Sequence, residues 1–300
     1  MMLMLALLVD ALVYGNLLAL LSVGLSLTLL TTEVSNFAHG DFAVIGIYIA
    51  YTLSQVLNVT PYAFIPVAFA GGALVGLAVY FLVFDPLRDK ASFVTLMIVS
   101  MALEFILRYS VQIYADVMQR LLKTFGRGFM FNDVRLALLG LHVDGVVVYS
   151  SITTLSLLVL LYVFLYRTKT GTAMRAAIEN PQLAQTLGIN VKKVYAYSWM
   201  LSAGFAAAAG VFLPFKIVVN PDTGFSLLLS MFAAVTVGGL GSLAGSLVGA
   251  YLISFSEIAA TYFLSSLGLS TSYRALVSFL SIAVVLLLSP RGLAGLWSKR

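Results

Sequence analysis

The chain has 300 residues, 61% of them hydrophobic and only 10% charged, with a mean hydropathy of +1.03. A soluble domain is about 45–50% apolar and about 25% charged, so this chain cannot cover a water-facing surface of its size, and soluble-enzyme classes are excluded. Having no cysteine and only two histidines, His39 and His142, it lacks disulfide scaffolds, thiol chemistry and a multi-histidine metal centre, and basic loops on one membrane face account for its net charge of +5 without nucleic acid.

Gaps between charges mark the membrane spans. A crossing helix needs roughly 20 apolar residues for a hydrocarbon core of about 30 Å. The uncharged stretches 11–32, 145–166 and 194–215 each fit one helix, and the first, extended to 5–31, reads as a permanent helix because no basic segment precedes it. The 42–84 stretch fits two helices, with Asn58, Pro61 and Pro66 around the turn. Ala91 to Tyr114 makes another span despite Glu104 and Arg108, and 275–289 the last, closed by Ser289-Pro290-Arg291-Gly292. The 223–256 stretch is too long for one crossing, since at about 1.5 Å per residue it overshoots the bilayer. Its middle, Gly238-Gly239-Leu240-Gly241-Ser242-Leu243-Ala244-Gly245, predicts a break into two spans. Backbone freed there must be buried in protein or line a wet cavity.

These spans predict an all-α polytopic bundle of eight or nine crossings, read as a single transmembrane domain over 1–300, with an outer loop at 115–145. The loop 167–193 carries Arg167, Lys169, Arg175, Lys192 and Lys193 against Glu179 alone; with Arg88, Lys90, Arg291, Lys299 and Arg300 it marks the inner face. Arg120, Lys123, Arg127, Arg135, Lys216 and Arg274 fall outside. Nine crossings put the N-terminus out. A re-entrant 34–57 segment would leave eight and move it in. Gly46-Ile47-Tyr48 and Gly249-Ala250-Tyr251 hint weakly at related halves, though chance likeness between apolar helices explains them better.

Three segments carry chemistry. In the inner loop, good helix formers run from Lys169 to Glu179, then Asn180-Pro181 supplies an N-cap and a first-turn proline, and Gly188 suits a left-handed C-cap. Two short helices across the cytoplasmic face follow, with apolar stripes Met174, Ala177, Ile178 and Leu183, Ala184, Leu187. Those stripes suit either a docked partner or the lipid interface. Val34 to Phe42 packs Asn36, His39 and Asp41 between two apolar spans, which suits an interior aqueous cavity or an interfacial loop with Asp41 at a helix N-terminus. The glycines at 238–241 suit close helix packing or an unwound element on a translocation path. Glu104 and Arg108, at i, i+4 with the acid first, read as a self-neutralising pair, while Asp10 and Glu257 fall near outer span ends and can reach water. No chain of membrane carboxylates, no catalytic triad and no phosphate-binding Gly-x-x-x-x-Gly-Lys-Ser/Thr loop is present, so neither catalytic residues nor a metal site is expected.

At these segments the chain resembles the permease subunits of bacterial and archaeal ABC importers for branched-chain amino acids. The residues that carry the likeness are Asn36-Phe37-Ala38-His39-Gly40-Asp41, Thr170-Gly171-Thr172-Ala173-Met174-Arg175-Ala176 running into Glu179-Asn180-Pro181, Leu187-Gly188-Ile189-Asn190-Val191, Gly238-Gly239-Leu240-Gly241-Ser242 and Pro290-Arg291-Gly292-Leu293. Thr172 and Ala244 depart from the usual pattern. The resemblance implies a partner permease, two cytoplasmic ATPases that hold ATP and magnesium, an extracytoplasmic binding protein, and residence in the cytoplasmic membrane, with no cofactor on this chain. It implies ATPase coupling through Thr170, Gly171, Met174, Arg175, Ala176, Ile178, Glu179, Asn180, Pro181, Leu183, Leu187 and Gly188. It also implies a translocation path near Asn36, His39, Gly40, Asp41, Gly238, Gly239, Gly241 and Ser242. Related importers of short amides or urea would share these motifs. An ion-coupled secondary transporter is the rival from another class.

Overall fold

The computed structural model describes residues 2–88, 90–138, 141–270, 273, 275–289 and 292–297; Pro290, Arg291, Arg274, Lys299 and Arg300, used above, lie outside them. Helix α1 (Met2–Thr32) is followed by α2 (His39–Leu57), and a turn at Pro61–Phe64 leads into α3 (Ile65–Val79). Through one π-helical turn, Tyr80–Phe84, α3 continues into α4 (Asp85–Arg88). Next come α5 (Phe93–Leu122), a hairpin of β1 (Arg135–Leu138) and β2 (Leu141–Asp144), and α6 (Gly145–Arg167). The cytoplasmic pair is α7 (Lys169–Glu179) and α8 (Pro181–Thr186). The chain then builds α9 (Val191–Gly210), α10 (Thr223–Gly238), α11 (Leu243–Ser266), α12 (Ala275–Leu288) and α13 (Ala294–Trp297).

Seven of these helical stretches are long and apolar enough to cross a membrane, and α10 and α12 are shorter apolar helices. A helix therefore stands at each expected span, although α10 and α12 are shorter than a full crossing length, and the long 223–256 stretch does break, between Gly238 and Leu243. The outer loop is shorter than expected, because α5 runs eight residues into it, to Leu122. Ion pairs settle the parity. Lys216 pairs with Asp10 at 2.9 Å and lies 3.9 Å from Asp144, and Tyr262 donates to Asp10. At the other end Arg88 donates to the Thr32 carbonyl, Lys192 pairs with Asp85 and α7 packs on α6. The start of α1 thus lies opposite the 167–193 loop. Because α2 leads from Thr32 at one end to Tyr62, beside Asp133 and Phe215, at the other, it crosses, and the re-entrant alternative is overturned.

The core is built around α9, whose run Ala206-Ala207-Ala208-Ala209-Gly210 is fully buried. Without a hydrophobic drive in lipid, spans associate where small residues let backbones approach. Gly72 and Gly76 of α3 do this against α9: a β-carbon at Gly76 would stand 2.6 Å from the Trp199 carbonyl oxygen. Helix α1 is held to α11 by Asn16, which accepts from Tyr251, and by Ser254, which donates to the Ala11 carbonyl. At the outer end Tyr48 and Tyr51 donate to the carbonyls of Gly126 and Phe125, and Tyr51 stacks on Phe129. These aromatics clamp the 123–134 loop onto the bundle.

Candidate translocation site

Residues 33–38 leave α1 with Glu33 at φ 59° and enter α2 through Asn36, whose side-chain oxygen accepts from the Ala38 amide at 3.1 Å. Ser100 of α5 ties this segment down, donating to the Ser35 carbonyl at 2.9 Å. Two residues further on, His39 and Asp41 diverge, because about 100° per residue sets i and i+2 on nearly opposite faces of a helix. His39 points into the bundle, its Nε2 donating to the Leu21 carbonyl at 3.0 Å and its ring lying against Gly24. It is a bracket between α1 and α2, enclosed by protein. Asp41 points the other way, toward α10. There Gly40 meets the Gly224 backbone, an approach that only the missing β-carbons allow, and a β-carbon at Gly224 would stand 2.9 Å from Asp41 Oδ1.

Asp41 is 1% exposed, yet neither carboxylate oxygen has a hydrogen-bond partner among the described residues. Asn36, also fully buried, has an unpartnered Nδ2. The charges whose fields reach Asp41 are Arg108 and Asp222. Arg108 pairs with Glu104, as the spacing predicts, but the pair is not closed on itself: Nε also lies 4.0 Å from Asp222 Oδ1. Gln112 donates to the same Asp222 oxygen at 3.3 Å, and the guanidinium sits 4.6 Å from the Phe225 ring centroid. Asp41, Arg108, Gln112 and Asp222 therefore form one polar patch where α2, α5 and the start of α10 meet. Sequence reading missed Arg108 and Asp222 as site residues. The signal that could have found them was charge placed mid-span and directly before a span.

The glycine-rich break is elsewhere. Gly239 adopts φ 111° and Ser242 caps α11 by accepting from the Gly245 amide at 2.9 Å, so the segment is a tight reverse turn between antiparallel helices. The expected neighbours are not all brought together: Gly40 and Asp41 pack on Gly224 at the start of α10, whereas Gly238 closes the other end of that 16-residue helix, about 24 Å away, with Gly239, Gly241 and Ser242 just beyond it. Asn36 and His39 precede Gly40 on the entry to α2. The turn needs its positive-φ residue at Gly239 and the missing β-carbon of Gly238 admits the Gly245 backbone, which accounts for these two glycines without an unwound path. Glu257 is a correction. It does not reach water but is 1% exposed, accepting from Ser230 at 2.6 Å and from Ser278.

At the cytoplasmic face the predicted caps are present. Asn180 accepts from the Leu183 amide at 2.9 Å, Pro181 opens α8, and Gly188 takes φ 83°. Thr168 caps α7 by accepting from the Gly171 amide. Gly171, Met174 and Ala177 are buried against this chain's own bundle, so they fix α7 in place and do not face a partner. Thr170, Ala176, Ile178 and Pro181 are half-buried, while Arg175, Glu179, Asn180, Leu183, Leu187 and Gly188 are exposed. The Arg175 guanidinium lies over Tyr166, 4.7 Å from its centroid.

The family model described as branched-chain amino acid transport system / permease component matches residues 7–288. The chain belongs to that family. The permease is 39% identical over 294 residues to the probable branched-chain amino acid transport permease protein LivH of Methanocaldococcus jannaschii, covering 97% of this chain and 92% of that one. It is 28% identical over 299 residues to the high-affinity branched-chain amino acid transport system permease protein BraD of Pseudomonas aeruginosa, covering 96% and 94%. Its fold is similar to a chain of PsaBC from Streptococcus pneumoniae in complex with Fab, with a TM-score of 0.53, 13% identity and coverage of 95% and 92%. The permease is thus a multi-pass membrane protein and one component of a transport system.

Proposed function

We propose that this permease is one membrane half of an ATP-driven importer that carries branched-chain amino acids across the cytoplasmic membrane by alternating access. A second, related permease forms the other half, two cytoplasmic ATPases hold ATP and magnesium, and an extracytoplasmic binding protein delivers the cargo. This chain itself holds no cofactor. ATP binding closes the ATPase pair, α7 and α8 carry that movement into α6 and α9, and the path between the two permeases opens to the other side.

The single observation that carries this reading is the construction of α7 and α8. Their apolar underside is locked to the bundle by Met174, Ala177 and Ala184, while Leu183 and Leu187, the latter 73% exposed, project away from it. A simple connector has no need of two capped helices rigidly seated on one side and apolar on the other. An element of that kind transmits force. The test is uptake of labelled leucine into proteoliposomes holding the complete transporter and binding protein. ATP-dependent accumulation is expected, and none without the ATPases. Equal accumulation by the two permeases alone would overturn the reading.

A further inference from the structure

Helix α5 raises a solvation problem. Arg108 lies near the middle of its 30 residues, about 20 Å from either end. Arg108 shares the packed side of α5 with Glu104, Val111 and Ala115, while Phe105 at its margin is exposed and Ile106, Tyr109 and Ile113 are exposed on the side turned away from it. Asp222 beside it has a side chain 60% exposed, against 12% for Arg108. Ionised groups at that depth are costly in hydrocarbon and are found facing a partner or a water-filled cavity. The opening to this pair lies at the margin of α5, where Asp222, Phe105 and Phe225 are exposed beside the guanidinium, and we read that margin as part of the wall of the path.

The charges on this wall are also unevenly matched. Two carboxylates, on Glu104 and Asp222, pair with the single guanidinium of Arg108, and a third, on Asp41, lies against Gly224, two residues from Asp222. Glu104 occupies one edge of that guanidinium, which has five N–H donors in all. The contact with Asp222, at 4.0 Å, is an ion pair beyond hydrogen-bond reach. Asp41 contributes two buried oxygens with no hydrogen bond, although buried polar groups are nearly always satisfied. Gly224, two residues beyond Asp222, has no side chain and so lets the start of α10 pack directly on Asp41 Oδ1, which is enclosed there. What the patch lacks is an ammonium, and what it can still offer is one edge of a guanidinium.

We infer that Arg108, Asp222 and Asp41 form a transient binding site for the charged end of a zwitterionic α-amino acid, an inference that rests on the transport reading above. Arg108 receives the carboxylate, Asp222 and then Asp41 receive the ammonium, and the apolar side chain lies on Phe105 and Phe225, both more than half exposed. The long Arg108–Asp222 contact opens to admit the cargo without unpairing Glu104. Because Asp222 is exposed and Asp41 enclosed, the ammonium passes from a wet carboxylate to a dry one as the path closes. An uncharged cargo would have no use for either.

The test uses the complete transporter in proteoliposomes, with leucine uptake as the readout and recovery of the assembled complex as the control for folding. Asp222→Asn is expected to lower uptake at least fivefold, with Asp222→Glu restoring it to within threefold of the unmodified protein. Asp41→Asn is expected to match Asp222→Asn, and should it fail to assemble, the exposed Asp222 pair decides alone. A smaller loss in Asp222→Asn, or an Asp222→Glu variant equally impaired, overturns the inference while leaving the transport reading intact. An unmodified transporter that carries uncharged cargo and no α-amino acid overturns both.

Discussion

Helices α9 and α5 are both long apolar spans, and they have opposite fates. In α9, 89% of the most apolar window is buried; in α5 only 28% is. Hydropathy does not separate them, since the two helices are about equally apolar. What separates them is side-chain size and the placement of charge. Helix α9 offers a band of alanine and glycine against which α1, α2 and α3 approach backbone to backbone. Helix α5 offers large residues outward and a charged strip at mid-depth. In lipid an apolar surface has nothing to gain from hiding, so packing is decided by how closely backbones approach and by where polar groups must be satisfied.

The comparison can be broken at its strongest point first. Gly76→Leu forces a branched side chain into the Trp199 carbonyl and should cost more than about 3 kcal/mol, read as loss of monodisperse protein on extraction. Full recovery would show that α9 does not need the close approach. Next, Glu104→Gln leaves the Arg108 guanidinium without its closest carboxylate and should lower thermal stability by roughly 3 kcal/mol. Adding Arg108→Gln should recover most of that loss; if the double variant is worse than the single, the pair is not the unit described here. Smaller effects on stability are expected at the cytoplasmic face. Arg175→Glu and Glu179→Arg should leave membrane insertion unchanged and reduce co-purification of the ATPases severalfold; unchanged association and uptake in both would remove these charges from the coupling surface. At the turn after α10, Gly239→Leu, at φ 111°, should cost about 1–2 kcal/mol, whereas Gly241→Leu has open space and should cost little. Equal melting temperatures for the two would count against the left-handed turn. Last, Ile106→Ala on the outward face of α5 should shift stability by no more than about 0.5 kcal/mol, and a larger loss would mean that this face is already packed within the single chain.

Much of the fold was legible beforehand because the rules that set it are local. Charge gaps located every span, Asn180, Pro181 and Gly188 set the cytoplasmic helices, and the Glu104–Arg108 pair followed from spacing. The site was less legible. The stretch 36–41 reads as one motif, yet His39 and Asp41 serve opposite faces of α2, and only the packing of α1 and α10 tells which is bracket and which is wall. Glu257 looked like a span-end residue and proved to be enclosed between α10, α11 and α12. Gly171 and Met174 share a motif with Arg175 but face the protein's own interior.

The sequence by itself determined that this is a multi-helix membrane protein, roughly where along the chain its spans lie, and where its cytoplasmic helices are capped. Each of those follows from a balance struck within one or two turns of chain, between burying apolar side chains in lipid and satisfying backbone at helix ends. Tertiary structure alone decided that Asp41, Arg108 and Asp222 share one wall and that the glycine turn stands apart from them. The reason is distance along the chain: those residues are tens to more than a hundred positions apart, and no local rule reports which helix faces will touch once small residues have drawn the backbones together.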